Sequence, residues 1–170
     1  MLKNFLLICL FFLCFSCQQN TENQKHYDIL SEKERAILKD ELLEDRLSNL
    51  LPILMDDTDI DMWLLISREY NEDPVLKTLL PATWLNARRR TIIVFYRNKE
   101  KNTLERLAVA RYDIGKSIQS AWNKEQQPNQ WEALTAIIKE KNPNKIGLNF
   151  SKHFVSQAAR LSVAAKPKDS

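Results

Sequence analysis

A chain of 170 residues, 44% apolar and 28% charged, is long enough for one packed domain and leaves little for a second. Lysine and arginine number 25 against 22 aspartates and glutamates, a formal charge of +3 that is too balanced to mark a nucleic-acid partner. Two glycines exclude a Gly-rich phosphate loop and a nucleophile elbow, and two histidines exclude a His-rich metal centre.

Residues 1–16 hold a single charge, Lys3, ahead of an apolar run from Phe5 to Phe15. That run is too short for an ordinary membrane-crossing helix and suits the core of a signal peptide. Ser16-Cys17 followed by Gln18, Gln19 and Asn20 resembles a lipobox, which makes Cys17 the lipid attachment point and the mature N-terminus. Cys14 departs from the usual lipobox pattern, and ordinary secretion or a retained anchor are the competing readings. With the signal removed, 24 basic residues face 22 acidic ones, a charge of +2. Residues 17–30 then read as a polar tether. Lipidation implies an exported, membrane-anchored protein facing the periplasm or cell surface, with several acyl chains giving firm attachment.

Ser31 and Glu34 form a capping-box pattern that opens a helix. Ile37, Leu43, Leu47, Leu50, Leu51, Leu54 and Met55 then recur at three- and four-residue steps, with Pro52 expected to kink or split the helix. Met62 to Ile66 predicts a strand buried on both faces. Asn71 to Pro74 is turn-like, and Leu76 to Leu85 reads as a short helix or irregular structure broken by Pro81. Thr91 to Tyr96 predicts a strand rich in β-branched and aromatic residues, with Leu104 to Tyr112 as its hairpin partner across a polar turn. Trp131 to Lys141 has helical spacing closed by Asn142-Pro143, and Ile146 to Phe150 makes a last strand. This order predicts an α/β fold, a three-layer-like sandwich with a mixed β-sheet flanked by helices. The folded domain spans residues 31–162, and residues 163–170 are a frayed tail.

Chemistry is sparse. Asp57-Thr58-Asp59-Ile60-Asp61 imitates the start of a calcium loop, but Met62 and Arg68 stand where glycine and the bidentate glutamate are needed. A solvated helix-to-strand connection is the better reading. His153 alone makes no metal site, and Cys17 belongs to the tether. Arg68-Glu69-Tyr70-Asn71-Glu72-Asp73-Pro74 follows a buried strand, where α/β sheets present functional loops. Arg88-Arg89-Arg90, with Trp84 ahead of them, suit phosphate or carboxylate because guanidinium is forked. Solvated local ion pairs, and a charged approach to the strand, are the plainer readings of these two stretches. Trp122 and Trp131 flank a Gln/Asn-rich loop that suits either a binding platform or core packing.

Several stretches in order carry a resemblance: Arg46–Met55, Ile60–Ile66, Arg68–Pro74, Ala87-Arg88-Arg89-Arg90-Thr91, Glu105–Gly115 and Lys141–Ser151. Together, over about residues 30 to 162, they resemble the N-terminal domain of creatinase/prolidase-type, Xaa-Pro aminopeptidase-like metallopeptidases of the exported bacterial lipoprotein branch. The resemblance implies a creatinase/prolidase N-terminal domain-like fold. It also implies a non-catalytic, truncated N-terminal domain that serves oligomer contacts and substrate access. The family's divalent metal pair sits in a separate pita-bread domain, on two Asp, one His and two Glu. This chain is therefore expected to hold no catalytic residue, no metal and no cofactor of its own. Partners implied are the membrane and either a homo-oligomer or a catalytic-domain chain, the latter making this a stand-alone assembly lipoprotein. Arg68, Glu69, Asp73, Trp84, Arg88, Arg89 and Arg90 are the candidate substrate or interface contacts. An apolar patch near Phe150 to Val155 would be bared without the catalytic domain.

Overall fold

Ser31 caps the first helix as its sequence requires. Its hydroxyl accepts from the Glu34 N–H at 3.3 Å, and the Glu34 carboxylate accepts from the Ser31 N–H at 2.8 Å. The computed structural model describes residues 29–70 and 72–149. Cys17, His26, His153, the tail and the patch expected near Phe150 lie outside the described residues.

Helix α1 (Glu32–Asp45) runs through a π-helical turn (Arg46–Leu50) into α2 (Leu51–Asp57). Pro52 does not split this helix. It sits in the first turn of α2, directly after the wide turn, where its missing N–H removes no α-helical bond. The π turn also matters for packing. Leu43, Leu47, Leu51 and Met55 recur in steps of four, which drift round a helix of about 3.6 residues per turn; the wider turn offsets that drift. All four are buried. Ile37, Leu50 and Leu54, assigned to the same face from spacing, are instead about half exposed.

The strands are β1 (Met62–Arg68), β2 (Arg90–Asn98), β3 (Thr103–Ala108), β4 (Gln119–Ser120) and β5 (Ile146–Leu148). They form one mixed sheet in the order β4-β3-β2-β1-β5. β1–β2 and β2–β3 pair antiparallel, while β1–β5 and β3–β4 pair parallel. Between β1 and β2 lies α3 (Pro74–Thr78), and α4 (Gln130–Lys141) precedes β5. The mixed α/β class is therefore as read from the sequence. β3 ends at Ala108, earlier than the hairpin spacing indicates; Val109 still donates its N–H to the Ile92 carbonyl at 2.9 Å, and the chain then turns from the sheet into the loop described below.

Alternation along the strands divides the interior in two. Leu65, Ile93, Phe95 and Ala108 pack with Leu43, Leu47, Leu51 and Met55 from the long helix and with Leu76, Leu80 and Trp84 from the β1–β2 connection. Met62, Leu64, Ile66, Ile92 and Val94 pack with Ala133, Leu134 and Ile137 of α4. Helices thus cover both faces. α4 ends on Asn142 in the left-handed conformation at φ 44°, a role asparagine tolerates.

The acidic run that begins in the last turn of α2 is structural. Arg97 grips the Asp56 carboxylate with Nε at 3.0 Å and Nη2 at 2.8 Å, tying β2 to the end of α2. Asp59 pairs with Lys99 at 2.6 Å. Asp61 accepts the backbone N–H groups of Asn144 and Lys145 and so docks the approach to β5.

Glu44 on α1 accepts from Ser117 at 2.6 Å, Arg106 at 2.7 Å and Ser48 at 2.7 Å, joining the helix to β3 and the loop before β4. The Ser117 and Arg106 hydrogen bonds, in that order, lower its pKa from 4.5 to about 2. A carboxylate depressed in this way stabilises the fold fully above its ordinary pKa and loses that contribution as pH falls through the folded value. The stability gap between the protein and Glu44→Gln, read from urea unfolding, should be widest above pH 4.5 and close as pH falls towards about 2. A gap that stays constant over that range would contradict this assignment.

Candidate functional site

The end of β1 and the start of β2 carry arginines in register, with Arg68 directly opposite Arg90. By strand alternation both belong to the face that carries α4. Facing like charges across a strand pair cost roughly 0.2–1 kcal/mol. The next residues hold the two segments together. The Glu69 N–H donates to the Arg89 carbonyl at 2.6 Å, and the Arg89 N–H donates to the Glu69 carboxylate at 3.2 Å. Tyr70 and Arg89 both take positive φ, 69° and 54°, in the left-handed region that L side chains seldom adopt. Such outliers cost of order 1 kcal/mol each and concentrate at functional sites.

A second wall comes from the β1–β2 connection. Trp84 is buried and serves as a floor on which the Arg88 guanidinium lies, 4.4 Å from the ring centre. Tyr112 lies 5.8 Å from the same guanidinium. The Arg88 N–H donates to the fully buried Thr91 hydroxyl at 3.2 Å, which fixes the triplet against β2. Arg90 lies over Trp131 at 4.7 Å.

The loop after β3 closes the third side. Ser120 donates its hydroxyl to the Ala110 carbonyl at 2.6 Å, and the Asp113 carboxylate accepts the Ser120 N–H at 2.7 Å. Gly115 turns this loop at φ 65°, and a Cβ there would come within 2.9 Å of Pro81. Only glycine allows the loop to rest against the β1–β2 connection. Gln130, the first residue of α4, donates to the carbonyls of Arg90 and Val109 and pins the helix start to this end of the sheet.

These walls enclose a cleft of about 780 Å³. Its lining contains Arg68, Arg88, Arg89, Arg90 and Arg111 with one carboxylate, Glu69, and the aromatic side chains of Tyr70, Trp84, Tyr112 and Trp122. Burial first, and the charge of Arg68 second, push the Arg90 guanidinium below the usual arginine pKa. Arg90 Nε is shielded from solvent and has no hydrogen-bond acceptor. The cleft is suited to holding an anionic group, since guanidinium forks match carboxylate and phosphate oxygens.

Six of the seven contact candidates, Arg68, Glu69, Trp84, Arg88, Arg89 and Arg90, meet in this one cleft. Asp73 does not join them. It is buried as the N-cap of α3, accepting from Val75 N–H at 2.8 Å and from Asn149 Nδ2 at 2.9 Å. Arg111 and Tyr112 are not singled out by sequence, because the alternation through Tyr112 reads as continued strand, and Gln130 is one of several polar residues in the Gln/Asn-rich loop between Trp122 and Trp131. Trp122 spends its indole N–H on the Gln127 carbonyl at 2.7 Å while its ring packs on the α4 side of the core. Among the described residues, no group of three or more His, Cys, Asp and Glu is arranged to hold a metal ion, and no helix is long and apolar enough to cross a membrane. Comparison with family models, with curated proteins and with solved structures yields no match in any of the three.

Thr91→Val should strand the Arg88 N–H and loosen the triplet. A loss of about 0.5–1.5 kcal/mol in urea unfolding is anticipated, with Thr91→Ser retaining most of the stability. Equal behaviour of the two variants would show that the hydroxyl does not anchor this wall.

Proposed function

We infer that the chain is the non-catalytic N-terminal domain of a membrane-tethered Xaa-Pro aminopeptidase-like metallopeptidase, with Cys17 as its lipid attachment point. In that role the arginine cleft contributes substrate or interface contacts, and the metal chemistry belongs to a separate pita-bread domain. One observation carries this reading. Arg68-Glu69-Tyr70 and Arg88–Thr91, parts of two stretches through which the resemblance runs, converge on a single cleft although α3 and its flanking loops separate them. A domain that shapes access to another domain's active site needs such a surface at the end of its sheet rather than a reaction centre of its own.

A second reading, a stand-alone lipoprotein that pairs with a separately encoded catalytic chain, is favoured by the helices that cover both faces of the sheet. The two readings part at the gene. Translation of the DNA past codon 170 in all three frames should reveal the Asp, Asp, His, Glu, Glu set if the domain belongs to one long protein. Without such a continuation, a chain bearing that set should co-purify from solubilised native membrane. Recovery only as a lone monomer with no continuation in the gene would overturn both. Hydrolysis of Xaa-Pro peptides by the purified chain itself with manganese would overturn them equally.

A further inference from the structure

The cleft holds charge without counter-charge. Elsewhere in the fold the arginines of the sheet are paired, Arg97 with Asp56 and Arg106 with Glu44. Among the described residues none of the five guanidiniums lining the cleft makes an ion pair, and its one carboxylate, Glu69, already accepts a backbone N–H. Arg68 and Arg90 repel each other across the strand pair. Arg90 Nε lacks an acceptor although it is shielded from water, which is an unfavourable state for a buried donor.

The guanidiniums are also positioned by aromatic rings. Arg88 lies over Trp84 and Arg90 over Trp131, with the guanidinium carbons 4.4 Å and 4.7 Å from the ring centres, and a cation held over a ring can still donate its N–H groups to an anion. Four net positive charges are more than one carboxylate can balance. Two adjacent anionic groups, each taken by a guanidinium fork, suit the cleft better. The cleft volume lies within the range of small-molecule sites. Tyr70 and Tyr112, 90% and 57% exposed, offer aromatic surface to the rest of a ligand.

We propose that this cleft binds a small ligand bearing a diphosphate, or an equivalent pair of adjacent anionic groups, through Arg68, Arg88 and Arg90. The proposal rests on the cleft being the domain's recognition surface and is independent of the peptidase relationship. Calorimetric titration of the full chain with pyrophosphate, orthophosphate and citrate, at an ionic strength of about 0.15 M, tests it. Pyrophosphate or citrate should bind once per chain, at least about tenfold more tightly than orthophosphate. Tighter binding of pyrophosphate assigns the groups to phosphates, and tighter binding of citrate assigns them to carboxylates. Arg68→Gln should lower that affinity about tenfold while raising the melting temperature, because it removes the repulsion on Arg90. A purely structural arginine would move the two quantities in the same direction. Arg88→Gln should weaken binding without that gain in stability. No binding of either oligoanion, equal affinity for orthophosphate, or undiminished affinity in Arg68→Gln would overturn the proposal. Failure of the titration leaves the peptidase reading intact, and failure of the gene and co-purification tests leaves the anion site intact.

Discussion

Seven consecutive residue pairs, from Met62 opposite Tyr96 to Arg68 opposite Arg90, set the register on which both cores and the cleft depend. Side chains alternate across a sheet, so this register sends Leu65 and Ile93 towards the long helix and Leu64 and Val94 towards α4. A slip of one residue would exchange the two sets and bury neither properly. The same pairing ends on two arginines. Their apposition is therefore a by-product of packing that the fold cannot relax by shifting one strand, and the repulsion is fixed wherever the interior is well packed.

The cleft follows from what happens to the chain beyond that last pair. The β1–β2 connection must return from Arg68 to Arg90 at the same end of the sheet, since the strands are antiparallel. It does so by way of α3 and the segment around Trp84, whose side chains complete one core. Functional and structural polar groups are separated within a few residues. Asp73 turns inward to cap α3 and receive Asn149, while Glu69 and Tyr70 remain at the cleft. Burial of Asp73 is tolerable because both carboxylate oxygens accept hydrogen bonds and Ser67 accepts from its N–H at 3.2 Å.

Much of this was legible in the residues. The capping pair Ser31 and Glu34, the apolar run of β1 and the β-branched run of β2 carry local physics that the tertiary structure leaves unchanged. So does the helical spacing of Leu134, Ile137 and Ile138. Two kinds of feature were not legible. The π-helical turn before Pro52 depends on how a four-step apolar repeat is reconciled with the α-helical period, and spacing alone assigned Leu50 and Leu54 to the wrong face. The part of the cleft made by Arg111 and Tyr112 depends on where β3 stops. Val109 and Ala110 are apolar enough to prolong the strand pattern, yet Ser120 and Asp113 draw the chain away. The arginine triplet and Arg68 were visible as charged residues, but their meeting is a matter of strand register.

The parallel pairing of β5 with β1 has a consequence for how the domain is assembled. β1 finds its antiparallel neighbour within one connection, whereas among the described residues its other edge is closed by Ile146 to Leu148, guided by Asp61 to the backbone of Asn144 and Lys145. Until those residues arrive, the apolar strand Met62 to Ile66 presents an unpaired edge that can recruit strands from other chains. Sealing that edge is among the most non-local steps of the fold, and loop-closure entropy delays such steps. The danger of intermolecular association is therefore concentrated in the interval before the last few described residues dock.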